Sequence, residues 1–368
     1  MKNTFKIGSH IIGRGNPTYC IAEISANHNK NFQEAVTLIH AAKKAGADAV
    51  KLQTYTPDTL TIPCDNKYFR VGDGTLWSGR NLYELYEEAY TPWEWQSELK
   101  TAANDLGMDL FSTPFDRSAV DFLESIEIPA YKIASFELID LPLIEYIAET
   151  KKPIILSTGM ASEKEIHEAL DTIRSRGNNR VVLLKCTSAY PALPDEMNLN
   201  TIPDMINKFK VPVGVSDHTL GWTIPVSAVS LGACVVEKHI TLSRSVSGPD
   251  SAFSLEPSEF GEMTRAVRIA ETALGRVLYG PTKHDKSNIV FRRSLFVVQD
   301  MKRGEEFTEK NVRSIRPGYG IAPKNIEQVI GKYATVNIPI GTPLKWEHIS
   351  ANQLKKNVNT IQVTVNNY

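Results

Sequence analysis

Tyr19-Cys-Ile-Ala-Glu-Ile-Ser25, an amphipathic stretch over 33–45, then Ala49-Val-Lys-Leu-Gln-Thr-Tyr55: this succession decides the fold. The flanking runs are apolar and too short for an ordinary helix, so they read as buried strands. Between them Ala35, Leu38, Ile39 and Ala42 recur at i, i+3, i+4 and i+7, which makes one apolar helix face. The unit repeats along the chain. Strand-like runs fall at 19–25, 49–55, 109–115, 130–135, 153–159, 181–188, 211–218 and 234–240. Helical stretches fall at 33–45, 92–106, 118–125, 141–149, 162–176, 200–208, 223–231 and 258–274. Eight strands, each followed by a helix, predict a (β/α)8 TIM barrel over residues 1–275. A doubly wound open sheet is the alternative, but it places a Gly-rich phosphate turn after its first strand. Here that strand runs into Glu23-Ile-Ser-Ala-Asn27-His28.

Two segments depart from the rhythm. The connection 56–91 far exceeds the usual βα loop of about 2–6 residues. It carries Tyr68, Phe69, Trp77, Tyr83, Tyr86 and Tyr90 on the C-terminal side of strand two, and is expected to form a partial lid. After residue 275 a polar linker, 276–289, leads to short strands and turns over 290–352. There Gly304, Phe307 and Val312 are spaced much as Gly341, Leu344 and Ile349, which predicts a small pseudo-symmetric β domain. Residues 353–368 form a polar tail.

Composition narrows the function. Of 368 residues 42% are hydrophobic and 23% charged, and the net charge is −1. That balance gives no electrostatic case for nucleic acid or an acidic membrane surface. No apolar run approaches the roughly 20 residues that cross a bilayer. The N-terminus lacks the apolar core of a signal peptide, so a cytoplasmic location is expected. Cys20, Cys64, Cys186 and Cys234 form no CxxC pair, and neither a zinc site nor a disulfide framework is expected.

The strands are apolar early and polar late. They end in Glu23; Lys51 and Gln53; Ser112 and Thr113; Lys132 and Ser135; Ser157 and Thr158; Thr187 and Ser188; Ser216, Asp217 and His218; Glu237 and His239. Barrel enzymes build their sites from such C-terminal strand ends. Lys51 and Gln53 share a face, as do Glu237 and His239. His218 and His239 end neighbouring strands and could meet at one divalent metal with open positions, such as Mn²⁺, with Asp217 or Glu237 orienting an imidazole. The alternative is that each histidine is a hydrogen-bonded core residue. Lys51 and Lys132 are costly to bury without an anionic partner, which a phosphate-plus-carboxylate ligand or an internal glutamate would supply.

These residues sit in phrases that resemble the sialic acid synthase family over nearly the whole chain. The phrases are Ile21-Ala-Glu-Ile-Ser-Ala-Asn-His28, Gly46-Ala-Asp-Ala-Val-Lys-Leu-Gln-Thr-Tyr55, Tyr131-Lys-Ile-Ala-Ser135, Ser157-Thr-Gly-Met160, Ser216-Asp-His-Thr219, Glu237-Lys-His239 and Gly248-Pro-Asp250. Arg316-Pro-Gly-Tyr-Gly-Ile321 is similar to the family's small antifreeze-like (SAF) domain. The phrases at 51–59, 81–86, 89–93 and 248–257 resemble the branch whose acceptor is 2,4-diacetamido-2,4,6-trideoxy-altrose.

The resemblance implies an enzyme that condenses phosphoenolpyruvate with an acetamido sugar aldehyde. It implies that His218 and His239 bind a divalent metal ion (Mn²⁺, Mg²⁺ or Co²⁺). Lys51, Thr113, Lys132, Ser135 and Ser157, with Ser188 and Ser216, would hold phosphoenolpyruvate; Ser188 stands where the family's neuraminic acid branch has Asn. Glu23 would act as base or acid near the attacking water. Gln53, Tyr190 and Asp250 would line the sugar side. Arg316 would reach across a domain-swapped homodimer to the partner's sugar pocket. The rival classes are a Schiff-base aldolase with Lys132 as nucleophile and a non-catalytic carbohydrate-binding protein.

Overall fold

Runs such as Val181-Val-Leu-Leu-Lys-Cys186 have no polar face to offer solvent, so they are stable only inside a sheet covered on both sides. In the computed structural model, which describes residues 4–246 and 248–352, eight such runs close a parallel barrel. They are β1 (Tyr19–Glu23), β2 (Ala49–Thr54), β3 (Asp109–Pro114), β4 (Tyr131–Ile133), β5 (Ile154–Ser157), β6 (Val181–Cys186), β7 (Val213–Asp217) and β8 (Val235–His239). Each pairs with the next, and β8 closes on β1 through Val235↔Tyr19 to His239↔Glu23.

Outer helices follow each strand: α1 (Phe32–Lys44), α2 (Trp93–Asp105), α3 (Arg117–Ser125), α4 (Leu141–Glu149), α5 (Glu163–Ser175), α6 (Thr201–Phe209), α7 (Thr223–Ser230) and α8 (Pro257–Leu274). Their starts are written locally. Asn31 caps α1 by accepting from the Gln33 and Glu34 amides, and Ser162 and Glu165 form a reciprocal capping box on α5. The face of α1 anticipated from its periodicity, Ala35, Leu38, Ile39 and Ala42, is buried. No helix among the described residues is long and apolar enough to cross a membrane.

Three features differ from the sequence expectation. A hairpin, Phe5–Ile7 with His10–Ile12, precedes the barrel. Its His10 meets Asp109 at the start of β3 (3.0 Å), so it packs at the N-terminal ends of the strands. β4 is shorter than the apolar run 130–135, because Ser135 already leads into a 3₁₀ turn, Phe136–Ile139. The segment 56–91 is not a bare loop: it contains the helix Leu82–Ala89, capped by Asn81. Of its aromatic residues Trp77 and Tyr86 make ring contacts with Tyr190 and Tyr55, whereas Tyr68 is 77% exposed.

The chain divides into two compact units, Met1–Gly275 and Arg276–Tyr368. The second has its own core, including Leu295, Val297, Phe307, Val312 and Leu344. The repeat read from spacing has a backbone counterpart there. Gly304 and Gly341 both take positive φ (81° and 84°), and Phe307 and Leu344 are fully buried. Two antiparallel ladders follow, Ser294–Val297 with Val312–Ile315 and Tyr333–Ala334 with Ile349–Ser350. The tail 353–368 lies outside the described residues. All four cysteines are free, and Cys20, Cys186 and Cys234 are buried.

Candidate active site

Strand register places the charged groups. Glu23 pairs with Lys51 on one side and with His239 on the other, so the three side chains share one face of the barrel wall. Glu237 pairs with Ser216 one rung lower on that face. The result is a buried cluster at the C-terminal mouth. The Lys51 ammonium contacts Glu23 and donates to Thr113 Oγ1 (3.3 Å). Glu237 Oε1 accepts from Ser216 Oγ (3.0 Å) and lies 3.9 Å from Lys51 Nζ and 3.8 Å from Lys132 Nζ. Lys132 Nζ donates to the Ile133 carbonyl at 3.2 Å. The side chains of Glu23, Lys51, Lys132 and Glu237 are all at most 6% exposed.

Burial sets the protonation of this cluster. It lifts the Glu23 carboxyl to about 7, against the pull of Lys51. Glu237 is held below the usual carboxylate value. Burial opposes this, but Lys132, Lys51 and the Ser216 hydroxyl outweigh it. Burial also tends to lower Lys51, yet Glu23 and Glu237 raise it above its ordinary value; Lys132 has weaker support and is lowered by its burial. Lys51 keeps its contact with Glu23, but Lys132 reaches only Glu237, and that carboxylate is almost 4 Å from each ammonium. Such a cluster is underfilled and suited to an anionic ligand.

A second group of donors lies beside it. Ser135 Oγ accepts from the Gly159 amide (3.1 Å). A Cβ on Gly159 would fall 2.2 Å from Ser188 Oγ and 2.7 Å from Ser135 Oγ, so only glycine leaves this cradle open. Ser157 Oγ, at the end of β5, is buried with no hydrogen-bond partner in the chain, as are Glu23 Oε1, Glu237 Oε2 and Glu137 Oε2. Buried polar atoms without partners are uncommon in folded proteins, and several at one barrel mouth mark a place built for something else.

The imidazoles lie at the ends of β7 and β8, with His239 in register with Glu23. The rings of His218 and His239 lie 5.4 Å apart. His218 Nδ1 donates to the Thr187 carbonyl (3.0 Å); burial tends to lower its pKa, but Cys186 and the Thr187 carbonyl outweigh this and raise it. His239 is held well below its ordinary pKa, by burial first and then by His218 and Lys51, and so is neutral; its Nδ1 is buried without a partner, 3.8 Å from Asp250 Oδ2. Among the described residues no cluster of three or more His, Cys, Asp or Glu donors could hold an ion alone. The orphaned nitrogen of neutral His239, with the His218 ring beside it, fits a divalent cation that would displace any proton on His218 and take its remaining positions from water and substrate oxygens.

An aromatic wall closes this side. Tyr190 stacks on His218 (4.4 Å between centroids) and on Phe253 (5.3 Å), Phe253 lies against His239 (4.9 Å), and Trp77 reaches Tyr190 from the segment 56–91 (5.5 Å). The Trp77 indole N–H donates to the Pro249 carbonyl (3.1 Å). The Ser25 hydroxyl, on a residue with φ of 44°, donates to Asp250. Strained backbone of this kind gathers at functional sites.

The barrel thus brings Glu23, Lys51, Thr113, Lys132 and Ser216 into one cluster, Ser135 and Ser188 around Gly159, and His218, His239, Tyr190 and Asp250 along one wall. Gln53 is half-buried on the face of Lys51, in register with Thr113. Arg316 is an exposed residue of the second unit. One expectation fails: neither Asp217 nor Glu237 orients an imidazole. Asp217 points out of the barrel to Lys238 (2.6 Å), and Glu237 is taken up by Ser216 and the lysines. Gly159, Phe253 and Trp77 were not singled out by sequence as site residues. The first follows Ser157-Thr158 in a quoted phrase, and its role is visible only in its separation from serines of other strands.

Fold and mouth together define a barrel enzyme with a cationic, hydroxyl-lined mouth beside a pair of imidazoles. The chain belongs to the NeuB family, whose model matches residues 38–279, and a SAF domain follows at residues 292–350. It is 47% identical to the pseudaminic acid synthase of Campylobacter jejuni over 327 residues, 89% of this chain and 95% of that protein. It is 38% identical to the N,N'-diacetyllegionaminic acid synthase of Legionella pneumophila, over 92% of this chain and 97% of that one. Among solved structures it is similar to the N-acetylneuraminic acid synthetase of Leptospira borgpetersenii, with a TM-score of 0.70 at 30% identity, over 78% of this chain and 96% of that chain.

Proposed function

We propose that the chain acts as a pseudaminic acid synthase, joining phosphoenolpyruvate, 2,4-diacetamido-2,4,6-trideoxy-altrose and water into pseudaminic acid and phosphate. The observation that carries the reading is the underfilled pair of buried ammonium groups beside the open Gly159 cradle. It is supported by 47% identity to a synthase of that name over most of both chains.

Lys51 and Lys132 would face the carboxylate and phosphate of phosphoenolpyruvate, with Thr113, Ser135, Ser157, Ser188 and Ser216 completing the hydrogen bonds. Fixed donors of this kind act on developing charge without reorganising, the largest expected catalytic contribution. His218 and His239 would hold a divalent cation; bound there, it supplies Lewis acidity to the aldehyde oxygen of the open-chain sugar. Carbon 3 of phosphoenolpyruvate attacks the aldehyde carbon, and positive charge develops at carbon 2. Glu23, in its ionised form, takes a proton from the water that adds there. The tetrahedral adduct then breaks its C–O bond to phosphate and leaves the 2-keto acid. Gln53, Tyr190 and Asp250 line the sugar end. Arg316, brought by a partner in a domain-swapped homodimer, would complete it.

The test is phosphate release from phosphoenolpyruvate and Mn²⁺ with separate candidate sugars. Release with the diacetamido-altrose at a kcat/KM at least tenfold above that with N-acetylmannosamine or the legionaminic acid precursor is expected. A preference for either of the others moves the chain to that branch, and no release with any sugar overturns the reading.

A further inference from the structure

On neighbouring strands β7 and β8, three successive register positions alternate across the barrel wall. Ser216 and Glu237 face the mouth and are hydrogen-bonded at 3.0 Å. Asp217 and Lys238 face outward between barrel and helices, 2.6 Å apart, with both side chains 0% exposed. His218 and His239 face the mouth again, beside each other. The last register partners of the two strands are Lys238 and Asp217, and β7 ends there. His218 therefore lies one residue past the ladder, where backbone pairing no longer holds it against β8.

Side chains take over at that point. Asp217 accepts from both the amide and the hydroxyl of Thr219 (3.0 and 3.1 Å), so it clasps the residue on the far side of His218. Lys238 donates to Asp217 and to the Thr219 carbonyl. His218 is thus bracketed by two residues tied to one ammonium, and that ammonium belongs to the residue just before His239. We infer that the Lys238–Asp217–Thr219 knot is a positioning device, which sets the spacing of the two imidazoles rather than stabilising the fold.

Two arguments support a positional role. A fully desolvated ion pair is poor evidence for stability, because matched apolar replacements often do as well or better. Its partners here are also the direct sequence neighbours of both imidazoles, at the one register position where the ladder stops. The inference rests on the reading of His218 and His239 as cation ligands.

The experiment replaces both charges together, Asp217→Leu with Lys238→Met, so that neither is left buried alone. Full-length protein is assayed by thermal unfolding, by calorimetric titration with Mn²⁺ and by steady-state kinetics. Expected are a melting temperature within a few degrees of the original and a phosphoenolpyruvate KM within about twofold. Mn²⁺ affinity and kcat should each fall about 10–100-fold, the usual effect of losing an outer-sphere partner. A folded double variant with unchanged Mn²⁺ affinity and kcat overturns the proposal. Should the double variant not fold, Asp217→Asn, which keeps the shape and weakens the link to Lys238, is judged by the same two readings. If the original enzyme binds no Mn²⁺ and works in chelator, the cation reading is what has failed. The positional claim is then decided by kcat alone, and an unchanged value ends it.

Discussion

Glu23 touches an ammonium group, yet its carboxyl sits near 7, because complete burial costs its charged form more than Lys51 returns. If its ionised form accepts the proton of the attacking water, activity must rise with pH across that value. The expected kcat/KM profile therefore has a rising limb with an apparent pKa of about 7. Glu23→Gln should lower kcat by about 10²–10⁴-fold and remove the limb. Glu137 provides the control. Its carboxyl is also lifted to about 7 by burial, and it lies two residues beyond Ser135. Glu137→Gln should keep the limb, measured as kcat/KM between pH 5.5 and 9; a limb lost with Glu137 and kept with Glu23→Gln would assign the base to Glu137. At this scale sequence goes far where parity applies. Lys51 and Gln53, or Glu237 and His239, fall on one face by counting in twos. The same counting separates Asp217 from Ser216 and His218, but placing it by its strand end alone put it in the mouth. Its partner Lys238 was legible only as a pattern neighbour of His239.

The segment 56–91 reads as an excursion from the βα rhythm, and its structure shows what anchors it. Trp77 bonds the Pro249 carbonyl and stacks on Tyr190, which in turn stacks on His218. The loop after β1 joins the loop after β8 in the same region through Ser25 and Asp250, and through Asn27 and the Ile240 carbonyl (2.9 Å). Three connections thus converge on the aromatic wall. Trp77→Ala should therefore raise the sugar KM about tenfold, the equivalent of losing roughly 1.4 kcal/mol of aromatic contact. The KM for phosphoenolpyruvate should stay within about twofold, and Trp77→Phe should fall between. Equal increases in both constants, read from paired saturation curves, would mean that the loop supports the whole mouth instead. The barrel elements were legible because their apolar periods change cleanly between strand and helix. The helix Leu82–Ala89 was missed because it was read within an aromatic-rich insertion, although Asn81 marks its start by capping the Tyr83 and Glu84 amides. Which aromatic turns inward is decided by packing across the sequence, and no local signal distinguishes Trp77 from Tyr68.

At the scale of the molecule, the barrel and the SAF unit each have an apolar core of their own, so each can keep its fold under a point change in the other. That independence makes the proposed sharing of sites between subunits testable with two impaired proteins. His239→Ala removes one imidazole and leaves Arg316 intact; Arg316→Ala does the reverse. In a symmetric dimer whose sugar pocket takes its arginine from the partner, each mixed dimer has one doubly damaged site and one complete site. Random exchange makes half of the dimers mixed, so about a quarter of the sites should regain activity when the two proteins are unfolded and refolded together. Arg316→Ala alone should raise the sugar KM well beyond that for phosphoenolpyruvate, so at sugar concentrations far below that KM each protein refolded alone should release little phosphate. If Arg316 serves the barrel of its own chain, every site in a mixed dimer carries one defect. Phosphate release then stays at the level of the separate variants, which would leave the second unit a role within its own subunit.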